Sequence, residues 1–299
     1  MKILVIGGSY FLGRVFTMLA SKEHELALIN RGNISMKRYG VKEYQLDRRD
    51  VQKLRELPCE HYDVIVDFCA YNSGDIKLLT ENLPGFPGLV QKYIFISTVD
   101  VYERNVGYVK DEETPLSKQR YSGEVGDYIY GKICLEKELK EVCDTRGVDY
   151  AIIRPSIIYG PNNYAPRESE YIKMISRGLE IKYPKDAEGR FQLVYVKDVV
   201  DAIIKACKRT KSREYNICPN EPIGYEDFVD VLKKVSDLPV KLNPIIIEEA
   251  LKEGIHMPFP ALKEETELYD GEKAVRELGI TYTSLEDGMR KTYNAFKTT

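Results

Sequence analysis

Short runs of apolar residues alternate with helix-like patterns along the first half of the chain. The runs are rich in β-branched residues, whereas the helical stretches place apolar residues three or four positions apart. The pattern predicts strands at 2–6, 25–30, 43–47, 62–68 and 91–97, and helices at 11–21, 51–57, 74–83 and 128–146. Such alternation is typical of a parallel sheet with helices on both faces, so we predict an α/β fold.

The pattern becomes less regular after Tyr159-Gly160-Pro161, where tyrosine, proline and charged residues separate short elements. The predicted later elements are strands at 149–154, 192–196 and 214–217, and helices at 197–208, 225–235 and 246–253. We expect residues 161–299 to form mainly a smaller α/β lobe over the carboxyl ends of the sheet. Residues 1–160 would form the first domain, to which the chain would return near 192–208.

Composition narrows the classes of protein to consider. The 299 residues include 44 basic and 47 acidic side chains, and neither sign collects into long runs, so bulk charge favours neither nucleic acid nor a membrane. We find no apolar run of membrane-spanning length and no signal-peptide pattern. The six cysteines form no C-x-x-C pair, so we expect reduced thiols in a soluble cytoplasmic protein. The three histidines are far apart in the sequence, so we predict no metal site.

Tyr128 and Lys132 are the first candidates for chemistry. They stand four residues apart on a predicted helix, so both side chains leave the same face. A lysine ammonium beside a phenol stabilises the phenolate and lowers the tyrosine pKa towards neutrality. Such a tyrosine can act as a general acid/base on an alcohol or a carbonyl. Taken alone, the pair is far more typical of an ordinary amphipathic helix, and only the motifs elsewhere in the sequence favour a catalytic role.

A glycine-rich turn, Gly7-Gly8-Ser9-Tyr10-Phe11-Leu12-Gly13, joins the first predicted strand to the first helix. Backbone N–H groups and the helix dipole at such a turn bind the pyrophosphate of a dinucleotide. Gly7 would supply the tight turn, and Gly13 the close packing of helix against strand. Because the turn follows the first strand of a βαβ unit, it predicts a dinucleotide site.

The chain resembles the extended or atypical short-chain dehydrogenases/reductases, a superfamily that includes NAD-dependent nucleotide-sugar epimerases and dehydratases. The resemblance implies a Rossmann-type doubly wound parallel sheet with a smaller α/β substrate-binding lobe. Seven motifs carry it, in order: Gly7 to Gly13, Asp47-Arg48, Asp67-Phe68-Cys69-Ala70, Phe95 to Tyr102, Tyr128-x-x-x-Lys132, Arg154-Pro155-x-x-x-Tyr159-Gly160-Pro161, and Val194 to Val199.

The resemblance also implies the roles of individual residues. Tyr128 would be the acid/base, Thr98 would hold the substrate oxygen, and Lys132 would hold the nicotinamide ribose and lower the tyrosine pKa. Hydride would then pass between NAD or NADP and a carbinol carbon of a sugar or nucleotide-sugar. The cofactor residues implied are Gly7, Ser9, Tyr10, Phe11, Leu12, Gly13, Asn30, Arg31, Asp47, Arg48, Phe68, Cys69, Ala70, Lys132 and Pro155.

The superfamily's usual assembly implies a homodimer. Helices 74–83 and 128–146 would form a four-helix bundle with their symmetry copies. The apolar residues of the second helix could face the partner or, equally, the chain's own core. These residues are Ile129, Ile133, Leu135 and Leu139.

Two departures concern the cofactor. Tyr10 stands where the family has its middle glycine, at which the backbone approaches the pyrophosphate closely. Asn30 replaces the carboxylate that accepts bonds from the adenosine ribose, and Arg31 follows it. Because an arginine can pair with a 2′-phosphate, this end of the second strand favours NADP.

Two further departures concern the substrate. The diphosphate arginine of nucleotide-sugar epimerases falls at Phe191, with Arg190 one residue away, and a shift of one residue along a strand points a side chain to the other face. The acidic pair of the dehydratases is represented only by Asp100, since Val99 precedes it. The sequence therefore leaves the substrate and the reaction type open.

Two alternatives retain the fold without turnover. The glycine-rich turn, Asn30-Arg31-Gly32 and the segment 47–50 resemble a subgroup that contains plant chloroplast stem-loop RNA-binding proteins. The negative net charge, the absence of tryptophan and the lack of a basic stripe argue against RNA as the partner. A redox sensor would bind dinucleotide without turnover, although it would have no use for Thr98, Tyr128 and Lys132 together.

Overall fold

The computed structural model describes residues 1–104, 107–209, 211 and 213–297. The strands are β1 Lys2–Ile6, β2 Glu25–Asn30, β3 Lys42–Gln45, β4 Tyr62–Asp67, β5 Val90–Ile96, β6 Val109–Lys110, β7 Asp149–Pro155, β8 Ile157–Tyr159, β9 Glu180–Pro184, β10 Leu193–Tyr195, β11 Arg213–Ile217, β12 Lys241–Ile245 and β13 Leu268–Tyr269. The helices are α1 Phe11–Ala20, α2 Val51–Arg55, α3 Asp75–Asn82, α4 Gly123–Arg146, α5 Glu168–Ser176, α6 Val196–Cys207, α7 Tyr225–Val235, α8 Ile247–Lys252, α9 Glu272–Leu278 and α10 Leu285–Phe296.

The main sheet has seven parallel strands in the order β11-β7-β5-β4-β1-β2-β3. This confirms the predicted Rossmann-type fold class. The strand order reverses between β1 and β4, and ligands bind such sheets in the crevice outside the carboxyl ends at that point. The residues that follow β1, β4 and β5 are therefore the ones to examine for a site.

Both faces of the sheet are buried because apolar residues occupy both sets of alternating positions. In β1, Ile3 and Val5 belong to one core with Phe16 of α1 and residues of α6. Leu4 and Ile6 belong to the other core, which includes residues of α3 and α4. Strands covered on both sides read as continuous apolar runs, as they do in this sequence.

The second half of the chain contributes to the main sheet as well as to the smaller lobe. Strand β11 is the edge strand of the main sheet beside β7, with α9 packed against it. The smaller lobe contains the parallel pairs β8·β10 and β9·β12 together with α5, α7 and α10. Phe191, just before β10, stacks on Phe259 with ring centroids 4.4 Å apart. This contact fixes the segment before β10 against the loop that follows α8.

Several boundaries differ from the prediction. Helix α4 begins at Gly123 rather than Tyr128, and the elements α5, β9, β12, α9 and α10 were not predicted. A glycine in the middle of α10 obscures its helical pattern. That glycine, Gly288, is required because an added Cβ would lie 2.9 Å from Cζ of the buried Tyr159.

Candidate active site

The glycine-rich turn after β1 is tight because neighbouring atoms leave no room for side chains. Gly7 has a φ of +84°, and an added Cβ would lie 2.8 Å from the Cβ and Sγ of Cys69. A Cβ on Gly13 would lie 2.5 Å from the Gly7 carbonyl oxygen. Only glycine fits both positions without strain. The turn borders a groove of about 790 Å³ above the sheet.

Tyr10 lies at the rim of this groove. Its backbone is extended, with φ −121° and ψ 145°, which any residue can adopt. Its ring packs edge-on against Tyr164 with centroids 6.5 Å apart, and its hydroxyl accepts a hydrogen bond from Asn33 Nδ2 at 3.4 Å. Tyr164 also packs edge-on against Phe11. The bulky residue at the middle-glycine position therefore leaves the groove open and borders it together with Tyr164.

The end of β2 forms another side of the groove. Asn30 Oδ1 accepts a hydrogen bond from Gly32 N at 2.8 Å, and Asn30 Nδ2 donates to Glu43 at 3.3 Å. The Asn30 side chain thus stabilises the turn that follows β2. Arg31 also borders the groove, is exposed, and forms no ion pair with the described part of the chain. Its guanidinium is therefore available to a ligand.

Arg48 forms part of the floor of the groove. Its Nη1 donates to both carboxylate oxygens of Asp67, at 2.7 and 2.8 Å, and its Nη2 donates to the Asp75 carbonyl at 2.8 Å. Tyr93 also donates to Asp67, at 2.6 Å. Burial alone would lower the pKa of Arg48, but the combined attraction of Asp67, Tyr93 and Cys69 and the hydrogen bond to Asp67 outweigh it, and the pKa is raised. This buried network joins the ends of β3 and β4.

Most of the cofactor residues implied by the sequence surround this one groove. Ala70 is fully buried instead, and its carbonyl contacts the lysine described below. Lys132 and Pro155 line a second cleft of about 740 Å³. Both spaces are bordered by Phe11, Phe68, Tyr71 and Ile96, so they adjoin. The implied residues in the first groove are Gly7, Ser9, Tyr10, Phe11, Leu12, Gly13, Asn30, Arg31, Asp47, Arg48, Phe68 and Cys69.

Lys132 is buried beneath the junction of the two spaces. Its Nζ donates to the carbonyl oxygens of Ala70 at 3.0 Å and Ile96 at 2.8 Å, which lie just beyond β4 and at the end of β5. It lies 4.9 Å from the Tyr71 ring centroid and 5.7 Å from that of Tyr128. Burial lowers the pKa of Lys132 to about 8. The lysine therefore carries its charge at neutral pH and loses it in mildly alkaline solution.

The structure raises the pKa of Tyr128, contrary to the fall expected from the sequence. Tyr128 projects from the same face of α4 into the cleft, where 37% of its surface is exposed. Burial and the nearby charge of Asp100 raise its pKa above the ordinary value, opposed by Arg167. The sequence argument considered only Lys132, whereas the adjoining carboxylate and aromatic rings disfavour the phenolate.

Thr98 follows β5 and begins a short 3₁₀ helix, Val99–Val101. Its hydroxyl donates to Asp100 Oδ2 at 2.9 Å and accepts from the Asp100 backbone N–H at 3.2 Å. Burial raises the pKa of Asp100, partly offset by the Thr98 hydrogen bond. Thr98, Asp100, Tyr128 and Lys132 all border the second cleft. The structure thus brings the three predicted catalytic residues together and adds a carboxylate.

The smaller lobe supplies the opposite side of the second cleft. Arg190 borders it and pairs with Asp227 at 3.1 Å, whereas Phe191 beside it is buried. Arg190 lies one residue before the position at which nucleotide-sugar epimerases have their diphosphate arginine. Its side chain still borders the cleft, because Arg190 precedes strand β10 and is not bound to the alternating faces of a strand. Arg104 and Arg167 also border the cleft.

Several residues that border the site were not predicted from the sequence, among them Tyr71, Tyr164 and Arg167. Tyr71 lies between the two spaces, Tyr164 covers the glycine-rich turn, and Arg167 faces the second cleft. Tyr71 directly follows the Asp67-to-Ala70 motif, so its position was a signal that could have been used. Tyr164 and Arg167 precede a helix that was not predicted, and their spacing carries no recognisable pattern.

Part of the chain is similar to a known protein family. The model of the family described as "NAD dependent epimerase/dehydratase family" matches residues 88–218, which include β5, Thr98, Tyr128 and Lys132. This segment, less than half of the chain, is similar to the NAD-dependent epimerases and dehydratases. This confirms the superfamily resemblance seen in the sequence motifs.

Three proteins show how this relationship extends along the chain. The chloroplast stem-loop binding protein of 41 kDa b from Arabidopsis thaliana is 26% identical over 98% of this chain and 78% of its own length. UDP-glucose 4-epimerase of Vibrio cholerae is 22% identical over 69% of this chain and 63% of its own. The structure of Thermus thermophilus UDP-glucose 4-epimerase in complex with NAD matches with a TM-score of 0.77 and 18% identity, covering 99% of both chains. The fold of an epimerase thus extends over the whole chain.

Two further findings concern other classes of site. No helix in residues 1–104, 107–209 and 213–297 combines the length and apolar character needed to cross a membrane. Within the same ranges, no cluster of three His, Cys, Asp or Glu side chains could hold a metal ion.

Proposed function

We propose that this protein is an NAD(P)-dependent oxidoreductase or epimerase that acts on a hydroxyl of a sugar or nucleotide-sugar. The observation that carries the proposal is the junction of the two spaces, where Lys132 is buried and Tyr128 and Thr98 border the second cleft. The first groove has the crowded glycine turn that a pyrophosphate requires, and Arg31 lies free at its side. When bound there, the dinucleotide supplies the hydride acceptor or donor.

The protein's own residues provide the proton chemistry. Because its pKa is raised, Tyr128 is a neutral phenol at pH 7 in the free protein and can donate a proton to a carbonyl oxygen. Acting as a base on an alcohol requires that pKa to fall in the complex. The Thr98 proton is directed to Asp100, so a lone pair of the Thr98 oxygen can accept a bond from a substrate hydroxyl. Lys132 keeps a positive charge behind both groups.

Tyr128→Phe tests this proposal, with Tyr130→Phe as the matched control. Tyr130 lies on the same helix, is exposed, and packs against Arg120 outside the cleft. We expect Tyr128→Phe to reduce dinucleotide-dependent turnover of sugar nucleotides by about 10²-fold or more, while its dinucleotide affinity stays unchanged. The Tyr130→Phe variant should turn over substrate at the wild-type rate. Turnover in Tyr128→Phe equal to wild type would refute the mechanism. Dinucleotide binding without turnover in the wild type would instead indicate a redox sensor.

We further propose NADP as the preferred dinucleotide and a homodimer as the assembly. Arg31 is the free cation beside Asn30, whose side chain is already engaged by Gly32 and Glu43. Helices α3 and α4 pack against each other, as expected for half of a bundle. The four apolar α4 residues considered for the dimer are buried in the chain's own cores, so other residues of α3 and α4 would form the contact.

The relationship to the Arabidopsis chloroplast stem-loop binding protein favours RNA binding as a second candidate function. Its test is the affinity for a stem-loop RNA at increasing salt concentration. Contacts with phosphates predict a steep fall in affinity with salt. Absent or salt-independent binding excludes this candidate, and the net charge of −3 leads us to expect that outcome.

A further inference from the structure

Arg167 is half-buried and forms no ion pair in the described part of the chain, in contrast to the buried Arg48 and Arg154. Arg48 Nη1 donates to both carboxylate oxygens of Asp67, and Arg154 donates to Glu136 through Nε and Nη2. Arg167 Nη2 donates only to a carbonyl oxygen, that of Ile158 at 3.3 Å. Its Nε is buried without a hydrogen-bond partner. A buried guanidinium N–H without a hydrogen-bond partner costs free energy unless an anion accepts a hydrogen bond from it.

The loop that carries Arg167 is held in place by buried polar contacts. Glu168 accepts hydrogen bonds from Gly160 N at 3.0 Å and from Asn163 Nδ2 at 2.8 and 3.0 Å, and both Glu168 and Asn163 are buried. Asn163 Oδ1 in turn accepts from Ala165 N at 3.0 Å. The position of Arg167 at the cleft is therefore fixed in advance, which reduces the entropic cost of binding.

Glu168 and Asp100 are the two carboxylates that attract the Arg167 guanidinium, Glu168 more strongly. Neither forms an ion pair with Arg167 within 4 Å in the described residues. Glu168 accepts from Gly160 and Asn163, and one Asp100 oxygen accepts from Thr98. Arg104 also borders the cleft and favours the charged form of Asp100. Asp100 thus has a second cation nearby, which leaves Arg167 free for a ligand.

We propose that Arg167 binds an oxyanion of the substrate, a carboxylate or a phosphate, in the cleft that Tyr128 and Thr98 border. This deepens the proposed function, on which it rests, by adding a charged group to the substrate class. A planar guanidinium fork binds either oxyanion through two hydrogen bonds. The substrate would then be oriented by this anion on one side and by the reacting hydroxyl on the other.

The test measures binding by calorimetry in protein saturated with its dinucleotide. The four ligands are UDP-glucuronic acid, UDP-glucose, UDP and inorganic phosphate, since the first two differ by one carboxylate. The variants are Arg167→Gln and Arg167→Lys, and Arg177→Gln is the control because Arg177 is exposed at the other end of α5. Thermal unfolding of each variant verifies that it is folded.

We expect Arg167→Gln to weaken binding of an anionic ligand by about tenfold to a hundredfold, with partial recovery in Arg167→Lys. Loss confined to UDP-glucuronic acid would identify the oxyanion as a sugar carboxylate. Equal loss for all UDP ligands would identify it as a phosphate. If none of the four ligands depends on Arg167, the proposal is wrong. Dinucleotide binding and Tyr128→Phe turnover are measured separately, so failure of the proposed function would be seen independently.

Discussion

Lys132 shows how much a residue's chemistry depends on its surroundings. The i, i+4 spacing predicted its face of the helix, and the structure places it with Tyr128 at the cleft. Its two carbonyl partners lie at the ends of different strands, so no local pattern could indicate them. Likewise Asp100, only two residues after Thr98, determines the direction of the Tyr128 pKa shift together with burial. The sequence was enough to identify Lys132 and Tyr128 as candidates, whereas the directions of their pKa shifts depend on groups that only the fold brings close.

The lowered pKa of Lys132 predicts a pH dependence of stability. The folded protein releases this proton near pH 8, whereas the unfolded chain keeps it to about 10.5. Between these values the unfolded state binds more protons, so this residue makes stability rise with pH. Relative to Lys132→Met, we expect the wild-type free energy of unfolding to rise by about 2 kcal/mol between pH 7 and pH 9.5. Urea unfolding at several pH values measures it, and parallel pH curves for the two proteins would contradict the prediction.

Tyr10 yields a second prediction at this scale. Because its ring packs against Tyr164 over the glycine-rich turn, we expect Tyr10→Ala to speed dinucleotide dissociation by between about twofold and tenfold. Tyr10→Phe, which keeps the ring, should behave like wild type. Stopped-flow fluorescence of bound NADPH measures the rate. Tighter binding in Tyr10→Ala would mean that the tyrosine obstructs the pyrophosphate.

At the scale of elements, the predictions succeeded where burial imposes a regular pattern. Strand β2 and helix α7 were predicted with their observed bounds, Glu25–Asn30 and Tyr225–Val235, because apolar residues recur at the strand or helix period. Strand β12 was missed because its sequence, Lys-Leu-Asn-Pro-Ile, contains residues rare in strands. It forms only by pairing with β9, which is more than fifty residues earlier in the chain.

Helix α10 allows a prediction about such an unexpected element. Alanine at position 288 would favour the isolated helix, but its Cβ would overlap the buried Tyr159 ring and hydroxyl. We expect Gly288→Ala to lower the free energy of unfolding by about 1–3 kcal/mol. Adding Tyr159→Phe should recover part of the loss, since that substitution removes the oxygen nearest the new methyl group. Chemical unfolding of the four proteins in the double-mutant cycle measures the coupling, and strict additivity would show that the overlap is relieved elsewhere.

At the scale of the whole molecule, the sheet and the smaller lobe share the site. The glycine-rich turn belongs to the sheet, whereas Tyr164 and Arg167 come from the chain between β8 and α5. Sequence motifs predicted the sheet side in detail because a dinucleotide imposes glycines and strand ends at fixed places. The lobe side has no such repeated chemistry, and its residues meet the cleft only through long-range packing. This explains why the residues that the sheet contributes to the two spaces were foreseen, whereas Tyr164 and Arg167 from the lobe were not.

The shared site predicts that dinucleotide binding stabilises the molecule as a whole. A ligand that binds only the folded state raises stability by about 2.7 kcal/mol when its free concentration is a hundred times its Kd. We therefore expect NADP to raise the melting temperature more than NAD does at equal concentration, because Arg31 is free to pair with the 2′-phosphate. Arg31→Glu should reverse that order, and Arg38→Glu is the control because Arg38 lies outside the groove on an exposed 3₁₀ helix. Equal shifts for both dinucleotides in wild type would refute the NADP preference while leaving the site itself supported. The absence of any shift would show that Tyr10 and its surroundings no longer accept a dinucleotide, and the RNA-binding alternative would then be the one to pursue.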